Sequence, residues 1–168
     1  MPLTPTHLGP GFFLGAIFLE SLNFFAILFG SVLPDIEPFL IVATKKCFFC
    51  PHHGFFHSFL GALLGSFFVA FFLFFTKNFW QKISFSFLKR EQNFSFPLLF
   101  LSSFLSYFVH ILFDSFCHQD VFLFWPLKIQ PTLIGKKVYF PLSGFFVVLL
   151  LVGIFILVSK VYGSRKSN

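Results

Sequence analysis

Long apolar runs alternate with short polar segments along the chain. The clearest runs are residues 55–76, 97–115 and 139–159. Each is close to the roughly 20 residues that an α-helix needs to cross the hydrocarbon core of a bilayer. The polar segments before and between them predict loops at about 34–54, 77–96 and 116–138. The pattern therefore predicts an all-α protein whose helices cross a membrane.

The first apolar region, residues 8–33, is interrupted by the polar stretch ESLN at 20–23. Polar groups in the hydrocarbon core are costly unless they face protein or water. The interruption therefore favours two short helices folded back as a re-entrant hairpin over one long tilted span. Pro34 is predicted to end the second of these helices. A hairpin places His7 and Asp35 at the same membrane face, whereas a single span separates them.

The composition supports a membrane protein. Hydrophobic residues make up 57% of the chain and charged residues 11%, against about 45–50% and about 25% in soluble domains. Folding a soluble domain of this size buries only about 70% of its surface, which is too little to hide 34 phenylalanines. We therefore predict one integral membrane domain, residues 1–168, with about four transmembrane spans plus the hairpin. The lipid bilayer is its predicted partner.

The net charge of +6 does not indicate a nucleic-acid partner. The basic residues lie between apolar runs and at the C-terminus, where a membrane protein meets lipid headgroups. Loop 77–96 and the C-terminus carry seven lysines and arginines, against five in the opposite loops. The positive-inside rule then predicts a cytoplasmic C-terminus. The predicted location of the protein is the inner (cytoplasmic) membrane. Three cysteines do not form a disulfide framework.

Histidine and aspartate side chains gather at one predicted membrane face. They follow the first apolar region, open the second span and close the third. Imidazole together with carboxylate is the ligand set of zinc and similar divalent ions. The candidates are Asp35, His52, His53, His57, His110 and Asp114.

The spacing of these residues predicts their direction. His110 and Asp114 are four residues apart, so they share one face of a helix, and Ser103, Ser106 and Tyr107 continue that face as a polar stripe. His53 and His57 have the same spacing if the second span begins early enough. Two interpretations stay open for His110 and Asp114: metal ligands, or a buried hydrogen-bonded pair that holds helices together. The other candidates at the same membrane face favour the metal.

The stretch CFFCPHH, residues 47–53, offers a separate ligand set. Its Cys-x-x-Cys spacing is that of a zinc knuckle, but one such pair is half of the usual signal. A pair of loop thiols and a redox pair stay open as alternatives. The secondary candidates for a metal or structural site are Cys47, Cys50, Cys117 and His118. Glu37 and Asp120 are interpreted as ordinary loop carboxylates, with Glu37 close enough to Asp35 to assist it.

Three segments resemble motifs of the YdjM-like family of membrane-bound, metal-dependent hydrolases. They are GSVLPDIEP (30–38), HHGFFHS (52–58) and HILFDSFCHQDVFLFWP (110–126). The resemblance covers residues 7–126. The positions that match the family's polar residues are His7, Asp35, His52, His57, Ser58, His110 and Asp114. The order of these residues also resembles, more distantly, the metal site of zinc-dependent phospholipase C and P1-type nucleases.

The chain departs from the family motifs at several positions. Glu37 stands where the family usually has a second aspartate. His53 replaces an arginine, and Phe56 replaces a threonine. Cys117-His118 stands where the family often has Thr-Pro. These departures affect the surroundings of the predicted ligands more than the ligands themselves.

Motifs and resemblance together predict a membrane-bound metal-dependent hydrolase that acts on phosphoester or other small or lipid-linked substrates through a metal-activated water. The predicted cofactor is a divalent ion, zinc by ligand type. Its predicted ligands are His7, Asp35, His57, His110 and Asp114, with His52 or His53 as general base and Glu37, Ser58 and Tyr107 in support. The alternatives are a non-catalytic membrane protein with a structural metal or polar cluster, and a transporter.

Overall fold

The computed structural model describes residues 4–45, 53–127, 129 and 139–163, with 4–7, 42, 45, 139 and 140 described for the backbone alone. All regular structure in these ranges is helical, as predicted. The α-helices are α1 (Thr4–Ile17), α2 (Phe24–Val32), α3 (Ile36–Lys45), α4 (Phe59–Phe75), α5 (Lys77–Leu88), α6 (Phe96–Cys117) and α7 (Tyr139–Gly163). Single 3-10 turns, Leu33–Asp35 and Phe55–His57, lead into α3 and α4.

Three stretches of the described residues are long and apolar enough to cross a bilayer. They are Phe24–Ile41, Phe96–Cys117 and Pro141–Gly163. Helices α4 and α5 pass the same test as a pair, but they are bent by 83° at their junction. The described residues therefore hold three candidate spans, or four if the bent pair crosses, in agreement with the predicted number of about four.

The first apolar region folds back on itself as predicted. A Cβ on Gly11 of α1 would collide with the side chain of Ser31 in α2, and a Cβ on Gly15 would lie 2.8 Å from the ring of Phe24. Residues later in α1 therefore contact residues earlier in α2. The two helices form an antiparallel hairpin. The N-terminal end of α1 is therefore beside the C-terminal end of α2.

Asn23 anchors the turn of this hairpin, and it is fully buried. Its Oδ1 accepts a hydrogen bond from the backbone N–H of Ala26 at 3.0 Å, which caps α2. Its Nδ2 donates to the carbonyl of Asn93, also at 3.0 Å. The backbone N–H of Asn23 donates to Ser102 Oγ of α6 at 3.0 Å. The polar interruption of the first apolar region is thus satisfied by protein rather than by lipid.

Small side chains bring α2 and α6 together. Ser106 Oγ donates to the carbonyl of Ile27 at 2.7 Å, and Gly30 lies against the backbone of Ser103. In a bilayer the hydrophobic effect does not drive helices together, so close packing and hydrogen bonds of this kind carry the contact. The contact fixes α6, which bears His110 and Asp114, against α2, which leads into the turn that ends at Asp35.

Two predicted loops contain helices. Within 34–54, Pro34 occupies the start of a 3-10 turn, where its missing N–H has no partner to lose, so the chain continues into α3. Within 77–96, α5 turns 83° from α4 and packs Trp80, Ile83 and Leu88 against the core. The loop prediction was wrong in 34–54 because Pro34 is tolerated in the first turn of a helix, and in 77–96 because α5 is apolar along one stripe only.

Replacing Gly30 by alanine is expected to destabilise the protein, because the added Cβ would collide with the carbonyl oxygen of Ser103. Overpacking of this kind costs about 1–3 kcal/mol. Thermal unfolding in detergent measures the effect. Gly144→Ala is the matched control, since no atom lies within 4 Å of a Cβ at that position. Equal melting temperatures for the two variants would contradict the close α2–α6 packing.

Candidate metal centre

Four side chains of the kinds that bind metals meet at one end of the helices. Asp35 ends the first 3-10 turn, His57 ends the second, and His110 and Asp114 lie one turn apart on α6. One donor atom from each lies within 4.8 Å of every other. Their exposed fractions are 9% for Asp35, 0% for His57, 4% for His110 and 3% for Asp114. We call these residues the four-donor cluster.

The spacing of the donor atoms fits a single ion. His110 Nε2 is 3.1 Å from Asp114 Oδ2 and 3.7 Å from Asp35 Oδ1. His57 Nε2 is 3.4 Å from Asp114 Oδ2. A tetrahedral zinc ion with ligand distances near 2.0–2.1 Å holds its ligand atoms about 3.3 Å apart. The measured separations lie on both sides of this value.

Both histidines of the cluster are oriented through their other ring nitrogen. His110 Nδ1 is 2.7 Å from the carbonyl oxygen of Ser31, one of the last carbonyls of α2 and so without a partner inside that helix. His57 Nδ1 is 3.3 Å from Glu37 Oε2. Since a carbonyl only accepts, Nδ1 of His110 carries the proton, which leaves Nε2 as a lone-pair donor towards the cluster. Histidines that bind metals are held in this way by carbonyls and carboxylates.

The electrostatics of the cluster favour a cation. His57 Nε2 and Asp35 Oδ2 are buried and make no hydrogen bond within the described part of the chain. Burial alone would lower the pKa of His57, but the carboxylates of Asp114 and Glu37 outweigh it and raise that pKa to about 9. The pocket therefore stabilises positive charge among its carboxylates, and a divalent cation meets the same demand.

The predicted supporting residues hold the segment that carries His57. Tyr107 Oη donates to the carbonyl of Phe56 at 3.0 Å. Ser58 is the N-cap of α4: its Oγ accepts from the N–H of Gly61 at 3.0 Å and donates to the carbonyl of Phe55 at 2.6 Å. Neither side chain belongs to the cluster itself, but together they fix the turn that ends at His57.

A second group of donors, His53, His118 and Asp120, borders the cluster. His53 Nδ1 is 2.9 Å from Asp120 Oδ2, and its ring centroid is 4.4 Å from that of His57. Burial, followed by the proximity of His53, lowers the pKa of His118 to about 4, so this imidazole is neutral. One donor atom from each of the three residues lies within 4.8 Å of the others.

The structure brings together four of the five predicted ligands. The fifth, His7, stays a prediction: its backbone lies in α1, at the end nearest α3, while its side chain falls outside the described residues. Cys47, Cys50 and His52 also fall outside them. Cys117 and His118 separate, because Cys117 is buried in α6 and belongs to neither donor group described here, whereas His118 belongs to the second.

Sequence reasoning missed three features of the site. His53 and His57 do not share a helical face, since α4 begins at Phe59 and both precede it. Asp120, interpreted as an ordinary loop carboxylate, pairs with His53. The contact of the Ser31 carbonyl with His110 could not be predicted from the sequence, because every residue has a backbone carbonyl.

The fold and the cluster define a helical integral membrane protein with a buried histidine–aspartate site. The chain matches the family described as YdjM inner membrane protein over residues 1–167, and it belongs to that family. This confirms the resemblance found in the motifs, while the description concerns the membrane and names no reaction. No curated protein and no solved structure matches the chain.

Proposed function

We propose that this protein is a membrane-bound, metal-dependent hydrolase whose ion, zinc by ligand type, is held by the four-donor cluster. One observation carries the proposal: two carboxylates and two imidazoles, nearly or fully buried, present donor atoms that all lie within 4.8 Å of one another, with three imidazole–carboxylate pairs 3.1–3.7 Å apart. A divalent ion in such a site lowers the pKa of water and polarises a phosphoryl or carbonyl oxygen. Glu37 orients the imidazole of His57, and the carbonyl of Ser31 orients that of His110.

The surroundings of the cluster support a substrate at the membrane surface. Trp125 and Phe124 are exposed at 44% and 51%, and the Trp125 ring packs on Phe55 with centroids 5.4 Å apart. Phe55 belongs to the turn that ends at His57. Exposed tryptophan is typical of the headgroup level of a bilayer. Lipid-linked phosphoesters or phospholipid headgroups are therefore the proposed substrates.

The test is turnover by the purified full-length protein in detergent, with bis(p-nitrophenyl) phosphate and p-nitrophenyl phosphate as soluble probes and a short-chain phospholipid as the lipid probe. We expect hydrolysis that disappears with a chelator and returns with Zn²⁺. Glu91→Gln, an exposed carboxylate at the other end of the bundle, is the control and keeps full activity. No turnover of any probe by zinc-loaded protein would refute hydrolysis of phosphoesters.

A structural ion is the second candidate, favoured by the burial of all four donors. A closed four-ligand site is typical of structural zinc, and an open position is typical of catalytic zinc. One comparison distinguishes a structural ion from a catalytic ion. A structural ion raises the melting temperature of protein that hydrolyses none of the probes, whereas a catalytic ion is required for turnover.

Replacing Glu37 by glutamine is expected to weaken metal binding without abolishing it, because the carboxylate that orients His57 becomes a neutral amide. Loss of such a supporting contact costs about 10–100-fold in metal affinity. Competition with a chromogenic zinc chelator measures the affinity. An unchanged affinity, with Glu91→Gln as reference, would show that Glu37 does not orient a ligand.

We further propose that the C-terminus is cytoplasmic, so that the cluster lies at the opposite face of the membrane. Residues Glu91 and Gln119 flank α6 at its two ends, and both are exposed. In a background without the native cysteines, Glu91→Cys is expected to be protected from an impermeant thiol reagent added to intact cells. Gln119→Cys is expected to react with it. The reverse labelling pattern would invert the proposed orientation.

A further inference from the structure

Beside the four-donor cluster, His53, His118 and Asp120 form a complete second ligand set. Their donor atoms lie within 4.8 Å of one another. His53 Nδ1 is 2.9 Å from Asp120 Oδ2, and the rings of His53 and His118 are 4.5 Å apart between centroids. We propose that this group holds a second divalent cation of the zinc class, next to the first.

The composition of the group differs from that of the four-donor cluster in a way that matters for chemistry. Within the described residues the group supplies two imidazoles and one carboxylate, and three protein ligands are the number that catalytic zinc sites use. The side chain of Asp120 is 29% exposed, whereas that of Asp114 is 4% exposed. The second group therefore reaches water through Asp120, while its His53 side chain is 5% exposed.

The two groups are joined by a row of four imidazoles. Ring centroids are 5.8 Å apart for His110 and His57, 4.4 Å for His57 and His53, and 4.5 Å for His53 and His118. The row runs from the buried cluster to the half-buried group. This inference rests on the proposed function and deepens it: the four-donor cluster holds one ion, and the second group, which reaches water through Asp120, is where water and substrate have access.

Backbone contacts tie the second group to the first. His118 caps the end of α6, and its N–H donates to the carbonyl of Asp114 at 2.8 Å. Asp120 Oδ2 also accepts from the backbone N–H of His53 at 3.2 Å. His53 and His118 are two of the positions at which the chain departs from the family motifs, and they are in contact with each other. On this assignment His53 is a ligand rather than the general base predicted from the sequence.

The experiment counts ions in the full-length protein in detergent, stripped of metal and titrated with Co²⁺, whose visible absorption reports each occupied site. We expect two equivalents in the wild type and one in His118→Gln and in Asp120→Asn, both of which preserve side-chain size. Gln119→Ala, the exposed neighbour of both residues, keeps two. Gel filtration and thermal unfolding show that each variant is folded before its ions are counted.

The outcomes separate the two proposals. One equivalent in the wild type that survives His118→Gln and Asp120→Asn overturns the second site and leaves the four-donor cluster in place. Two equivalents retained in both variants also overturn it. One equivalent that is lost in His118→Gln but kept in Asp114→Asn supports the second group and overturns the four-donor cluster as a metal site. No bound ion in the wild type overturns both.

Discussion

Asp114→Asn is expected to remove the ion of the four-donor cluster altogether. Asp114 Oδ2 lies 3.1 Å from His110 Nε2 and 3.4 Å from His57 Nε2, so this carboxylate faces both imidazoles. The amide has nearly the same shape but carries no charge, and a neutral oxygen is a poor ligand for zinc. The loss of affinity should exceed the roughly 10–100-fold that the loss of a supporting contact costs. Metal emission spectroscopy of the purified protein measures it.

The control for this variant is Glu91→Gln, which changes the charge in the same way at an exposed site. Glu37→Gln should fall between the two, because it alters the orientation of a ligand and not the ligand. Unchanged metal content in Asp114→Asn would mean that the buried group is a hydrogen-bonded polar contact between helices. In that case the melting temperature would fall while the metal content stayed the same.

The second large effect is expected at the turn between α1 and α2. Asn23→Ala removes the N-cap of α2 and leaves the N–H of Ala26 and the carbonyl of Asn93 without their side-chain partner. Loss of a cap costs about 1 kcal/mol, and each buried group left unpaired costs about 1–3 kcal/mol. The cap is the bond to the Ala26 N–H, so the carbonyl of Asn93 is the one further group left unpaired, and we expect a loss of about 2–4 kcal/mol in the free energy of unfolding. Thermal or denaturant unfolding in mixed micelles measures this loss.

Gln92 tests the same contact from the other side. Its Oε1 accepts from the N–H of Phe24 at 2.8 Å, and its Nε2 donates to the carbonyl of Leu19 at 2.9 Å. Gln92→Ala should therefore destabilise the protein to a similar extent. Ser21→Ala, at an exposed position of the turn, should have almost no effect. Equal melting temperatures for Asn23→Ala, Gln92→Ala and Ser21→Ala would show that the loop before α6 does not anchor the turn.

Hydropathy was sufficient to predict the long apolar helices but not α3 and α5. The run 97–115 lies within α6, because a bilayer demands a long apolar stretch and little else produces one. α5 was not predicted because its sequence alternates between core-facing residues such as Trp80 and exposed lysines. Its average hydropathy therefore resembles that of a loop. Pro34 ends α2 as predicted, since α2 stops at Val32, but the chain then continues through a 3-10 turn into α3 and not into a loop.

The candidate ligands could be predicted because they are rare polar residues at the ends of apolar runs. In a chain with 11% charged residues, few other polar residues compete as candidate ligands with Asp35, His57, His110 and Asp114. The partners that orient them could not be predicted. Asp120 has no periodic relation to His53, and their contact depends on how the loop after α6 folds back. Such contacts are properties of the tertiary structure.

The contact between Ser31 and His110 spans 79 residues of sequence, and this has a consequence for biosynthesis. At about 5–20 residues per second, the ribosome needs about 4–16 seconds to reach His110 after it has made Ser31. During that interval Asp35 has neither His110 nor Asp114 beside it. Asp35 lies beyond the end of α2, just after the first apolar region, where water and headgroups can solvate the waiting carboxylate. The site can therefore assemble late without an unpaired charge ever having to rest in the hydrocarbon core.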